Sequence, residues 1–220
     1  MRLKLLPLIA LLSCVALPIS SWFIYEYAPI EQTMQLTQKI FYVHLPFAWW
    51  GMVSFFGVFV ASVLYLIKRK PGFDLAAAAM AEVGVLFIAL ALITGSIWGK
   101  GSWGQWWIWE PRLVTTLVMW FIYAGYMLLR SLNMGRERKA AVAAVVGIAA
   151  FLDVPLVFFA TRLWPQEMQA HPRSIGLDPA MLTTLFVCLG AWLFPWLALT
   201  LTRFGQLRDK DRLQALTIVE

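Results

Sequence analysis

The chain has 220 residues, 61% of them hydrophobic and only 14% charged, which is far more apolar surface than a water-soluble core can hide. This composition predicts an all-α integral membrane protein, a six-helix transmembrane bundle forming a single domain over residues 1–220. The formal net charge of +6 would suggest nucleic acid in a soluble protein, but in a membrane protein the placement of the basic residues matters more than their sum, and nucleic acid is not an expected partner.

Six apolar runs, at about residues 5–25, 46–67, 75–97, 112–132, 140–162 and 180–202, each approach the roughly 20 residues that span a bilayer. The first follows Met1-Arg2-Leu3-Lys4 and resembles a signal peptide, but it is long, contains Pro7 and Pro18 and ends without a small-x-small site. It is therefore read as a retained helix. After it, Glu26 to Leu45 includes Gln32 to His44, a segment able to form an interfacial helix with Met34, Phe41 and His44 on neighbouring turns. The third run carries Glu82, expected to bond Thr94 or a hydroxyl of another helix.

Trp98 to Arg112 then holds five of the twelve tryptophans, Trp98, Trp103, Trp106, Trp107 and Trp109. Its glycines oppose a helix as far as Gly101, whereas Ser102 with Gln105 has capping-box spacing and predicts a short helix beginning there. Such a helix would place Trp103, Trp106, Trp107 and Glu110 on one face, a flat aromatic shelf at the membrane surface. Pro111 disfavours helical geometry at Glu110 and suits the first turn of the next helix. Aromatic belts need no ligand, but a belt spreads over several helix ends. Concentration beside Glu110 and Arg112 fits a large, flat, mostly apolar ligand with an anionic edge.

The fifth run contains Asp153 two residues before Pro155. A carboxylate at that depth either faces the bundle interior or satisfies backbone donors freed at the proline break. Leu163 to Pro179, with Trp164, His171, Arg173 and three prolines, predicts a structured turn. Cys14 and Cys188 lie far apart in apolar runs and read as packing residues, which disfavours thiol redox work and thioether haem attachment.

With the amino terminus inside, thirteen of the eighteen Lys and Arg residues fall in inner segments, so both termini are expected to be cytoplasmic and the Trp-rich stretch outside. The two histidines, His44 and His171, then share the outer face. A lone interfacial histidine is unremarkable, but two flanking an aromatic loop suit metal ligation, since imidazole is the usual protein ligand of haem iron. Structural zinc would want four Cys or His ligands, and no thiol lies near. Lys39, Lys100, Arg112 and Arg173 run against the positive-inside trend. Arg112 and Arg173 suit carboxylate clamping, with an internal Glu110–Arg112 pair as the competing reading.

The run Trp103-Gly-Gln-Trp106-Trp107-Ile-Trp109-Glu110-Pro-Arg112-Leu resembles the tryptophan-rich signature of the haem-handling proteins of cytochrome c maturation. Lys39-Ile-Phe-Tyr-Val-His44-Leu-Pro46 and Asp153-Val-Pro155 agree with it. Six helices and this length are similar to the haem exporter protein C branch, and the likeness spans nearly the whole chain. It implies that His44 and His171 are axial ligands of haem iron and that Trp103, Trp106, Trp107 and Trp109 form the haem platform. Glu110 stands where many members have aspartate and Lys39 where arginine is common, so bidentate contact from position 39 is lost.

The expected function is to hold haem b, as cargo, at the periplasmic face of the bacterial inner membrane and present it for c-type cytochrome biogenesis. Arg112 or Arg173 would neutralise the propionates. The resemblance implies ABC transporter subunits, a small membrane subunit and a periplasmic haem chaperone as partners, alongside membrane lipid, and a delivery component rather than an enzyme. A system II-type cytochrome c synthase component is the nearest alternative. A b-type cytochrome subunit would normally use histidines inside helices, and a small-solute permease would show matching broken helices in two halves.

Overall fold

The computed structural model describes residues 2–171 and 176–217. Among these the chain is helical, with no strand: α1 (Arg2–Trp22), α2 (Phe41–Lys68), α3 (Pro71–Trp103), α4 (Pro111–Ser131), α5 (Arg136–Ala150), α6 (Asp153–Leu163) and α7 (Pro179–Thr217). They make six segments long and apolar enough to cross a membrane, α5 and α6 together forming the fifth. Six crossings bring both termini to one end, with the two short basic turns. The histidine loops lie at the other.

The expected spans are all present, but several ends differ. α3 begins at Pro71, whose fixed φ suits a first turn, and runs on to Trp103. α7 has 39 residues, roughly 58 Å at 1.5 Å per residue, so it overshoots a hydrocarbon core of about 30 Å. The fifth span breaks at Phe151–Leu152, just ahead of Asp153. Pro155 therefore sits in the first turn of α6, where no intrahelical donor is missed, and Asp153 lies at the positive end of that helix. Its Oδ2 is buried without a hydrogen-bond partner among the described residues.

α2 and α3 form the most extensive helix pair, made possible by small residues: Gly51 faces Ile88, and Gly84 sits against Phe55 and Ser54. α4 and α5 close the main core around Phe55, Val58, Met119, Tyr123 and Tyr126, with Phe55 stacked on Tyr123 at 3.5 Å. α1 packs chiefly on α7 and leaves Leu8, Leu11 and Val15 exposed, as a lipid-facing helix does. Cys14 lies on an exposed face, whereas Cys188 is buried.

Two bidentate ion pairs fasten the basic-turn end: Arg130 to Asp74 at 2.6 and 2.9 Å, and Arg203 to Glu82 at 2.5 and 3.0 Å. Glu82 thus pairs with a cation of α7 rather than with Thr94 or another hydroxyl. α7 continues past the apolar run without a break, which sets Arg203 alongside α3.

Candidate functional site

His44 lies in the first turn of α2, after a turn at Glu31–Gln35 and a 3-10 segment, Leu36–Ile40. The continuous interfacial helix expected over Gln32 to His44 is not formed. Instead, the Glu31 carboxylate accepts the N–H groups of Thr33 and Met34 and turns the chain before the helix begins. His44 Nδ1 is 3.0 Å from the Ala91 carbonyl and 3.3 Å from Thr94 Oγ1. A carbonyl only accepts, and the Thr94 hydroxyl donates to Leu90 at 2.7 Å, so Nδ1 carries the proton and Nε2 keeps a free lone pair. Gly95 makes room for this ring: a Cβ there would stand 2.9 Å from His44 Cε1.

His171 shows the same tautomer by a different route. Its Nδ1 donates to Glu110 Oε1, while Glu110 Oε2 accepts the Ala170 N–H at 2.5 Å and the His171 N–H at 3.2 Å. Glu110 is only 1% exposed. Burial alone would raise its pKa, but the hydrogen bond from His171, with the two backbone donors, outweighs burial and holds the carboxyl below its ordinary 4.5. A carboxyl with a lowered folded-state pKa stabilises the fold above its unfolded value and loses that contribution as pH falls through the lowered one. Amide exchange at Ala170 and His171 should therefore stay slow as pH drops through 4.5 and quicken only below it. Loss of protection already at pH 5 would contradict this.

The aromatic loop departs most from expectation. Ser102 does not cap a new helix: it lies in the last turn of α3 and bonds Met34 Sδ at 3.6 Å. α3 ends at Gly104, whose φ of 74° is the left-handed conformation that stops a helix. Residues 105–110 then double back over it, with Ser96 Oγ donating to the Trp106 carbonyl at 2.7 Å and the Gln105 carbonyl passing close over Gly99. Trp103, Trp106, Trp107 and Glu110 consequently share no helical face. Trp103 turns inward, with its ring 5.3 Å from His171 and 6.5 Å from Trp98, and Trp98 lies 5.7 Å from His44. Trp107 is half-buried and packs edge-on against Trp109, while Trp106 and Trp109 are the outermost, 58% and 79% exposed.

Two indoles thus link the two histidines, and Trp98 is the member that sequence reading did not select. Thr94, Gly95 and Trp98 share a helix face, a pattern visible only when α3 is continued past residue 97.

Glu110 and Arg112 do not form the internal pair considered above: Glu110 turns to the His171 loop, and Arg112 Nη2 donates to Thr161 at 3.2 Å. Arg112 Nε is buried with no hydrogen-bond partner among the described residues, as are Trp98 Nε1 and Trp107 Nε1. All three are groups that only donate, so an acceptor-rich ligand suits them. Lys39 has a local role, donating to the Tyr25 carbonyl at 2.9 Å and lying over that ring, and Lys100 caps α3 through the Gly104 carbonyl at 2.9 Å. Arg173 lies outside the described residues. The donor set, two imidazoles each held through Nδ1, beside indoles and a partly unsatisfied guanidinium, fits a flat metal macrocycle bearing carboxylates.

The sequence matches the family described as Heme exporter protein C over residues 1–217. Relatives bearing that name include proteins of Haemophilus influenzae, 33% identical over 91% of this chain and 83% of the relative, and of Escherichia coli, 31% identical over 92% and 83%. A third, from Bradyrhizobium diazoefficiens, is 34% identical over 84% of this chain and 73% of its own length. With six spanning helices and this kinship, the chain is a multi-pass inner-membrane protein. It belongs to the haem exporter protein C family.

Proposed function

We propose that the whole chain acts as one haem-handling domain that binds haem b as cargo at the periplasmic face of the inner membrane. From there it presents haem to a periplasmic haem chaperone for c-type cytochrome biogenesis, in company with ABC transporter subunits and a small membrane subunit. The observation that carries this reading is the pair of histidines, each with Nδ1 engaged as a donor and Nε2 without a hydrogen-bond partner among the described residues, joined through Trp98 and Trp103 at one end of the bundle. His44 and His171 are the axial ligands. Trp103 and Trp107 border the macrocycle, Trp106 and Trp109 form its outward rim, and Arg112 or Arg173 neutralises the propionates. Glu110 serves the site through His171. The protein works by holding and releasing cargo, not by turnover.

The test is an absorption spectrum of the purified protein, as isolated and after titration with haem. Wild type should give a low-spin bis-imidazole spectrum, and replacing both histidines with alanine should abolish it. A wild-type protein that is colourless and takes up no haem would refute the reading.

The orientation has its own check. Reporter fusions at Lys70 and Lys139 should report cytoplasm, and those at Gly101 and Gly176 periplasm, because basic residues are retained inside. A periplasmic signal at Lys70 would put the histidines on the opposite side.

A further inference from the structure

The two imidazoles differ in what stands behind them. His44 Nδ1 meets a neutral carbonyl at 3.0 Å and a neutral hydroxyl at 3.3 Å. His171 Nδ1 meets the carboxylate of Glu110, which is buried to 1% exposure and also fixes the Ala170 and His171 amides. A carboxylate draws the Nδ1 proton toward itself and pushes electron density onto Nε2, making that nitrogen the stronger metal donor. A peptide carbonyl does so much less. Glu110 also ties the His171 ring to its own backbone, so the ring cannot turn away without leaving the buried Oε1 of Glu110 without its donor.

We propose that the haem cargo is held by unequal ligands: His171, backed by Glu110, is the strong ligand kept to the last, and His44 is the one that yields first. The proposal rests on the ligation reading above and adds an order to it. Glu110 is then a positioning residue rather than a haem contact, since both its oxygens are occupied by the His171 loop. Release would begin at the helix-borne histidine, leaving the cargo on the loop between α6 and α7.

Carbon monoxide added to the haem-loaded, dithionite-reduced protein replaces the weaker axial imidazole. The C–O stretching frequency then reports the donor strength of the imidazole that remains. Glu110→Gln keeps a hydrogen-bond acceptor but removes the charge, so it should raise that frequency. Glu110→Asp should restore it. A frequency that ignores Glu110→Gln would mean that His44 is the retained ligand.

If Glu110→Gln holds no haem, single histidine variants decide the matter. His44→Ala should keep haem as a five-coordinate species, while His171→Ala should release it about 10–100-fold faster. Equal losses or the reverse order would overturn the proposal. No haem uptake by wild type would instead refute the ligation reading, and the proposal with it.

Discussion

Gly95→Ala is expected to convert the low-spin haem spectrum into that of a five-coordinate species while leaving the bundle folded and the haem still held through His171. Alanine is the better helix former by roughly 1 kcal/mol, so on propensity alone this substitution should stabilise α3. The new methyl, however, would lie 2.9 Å from His44 Cε1 and 3.3 Å from Nδ1. The ring would have to turn, and turning it breaks the Nδ1 contact with Ala91 that leaves Nε2 free. Gly125→Ala is the control, because nothing lies within 4 Å of a Cβ there. Helicity by circular dichroism should be unchanged in both variants, and only Gly95→Ala should lose the low-spin haem spectrum. A wild-type spectrum in that variant would mean that the His44 pocket is loose and its tautomer is not set by α3.

The six spans were legible because long apolar runs have few other uses. Their ends were less so, since hydropathy marks where lipid contact stops and not where a helix stops. α3 outlasts its apolar run because Gly99 and Gly101 are not helix breakers here. The returning loop passes closely over the first, and Thr37 presses on the second, where a Cβ would collide with its methyl. The terminator is Gly104, the one glycine of the described residues with positive φ.

That the two histidines lie at the same end of the bundle was legible from topology. The partner of His171 was not: Glu110 lies 61 residues away in sequence, and a single sequence displays no pairings. Its neighbour Arg112 was the obvious candidate by proximity, but a glutamate directly before Pro111 is in extended geometry, with φ of −100° and ψ of 157°. That geometry aims its side chain across to the α6–α7 loop instead.

The tryptophans should separate into two classes. Trp98 is 8% exposed and touches Phe41, His44, Trp103 and His171, so Trp98→Ala removes a buried indole and should cost about 3–5 kcal/mol of stability together with the haem spectrum. Trp103→Ala removes one edge-on contact with His171, worth about 0.5–1.5 kcal/mol, and should weaken haem retention without abolishing it. Trp106 and Trp109 make no ring contact with either histidine among the described residues and stand outermost. On the proposed ligation, two iron ligands would hold the cargo without them, so the Trp106→Ala, Trp109→Ala double variant should show a wild-type haem spectrum and yet fail to pass haem to the proposed periplasmic chaperone. Measuring haem bound and haem transferred in the same preparations separates the outcomes. Parallel loss of both quantities would make the outer pair an ordinary wall of the binding site. Normal transfer with both indoles gone would return them to membrane-interface aromatics and leave Trp98 and Trp103 as the functional core of the motif.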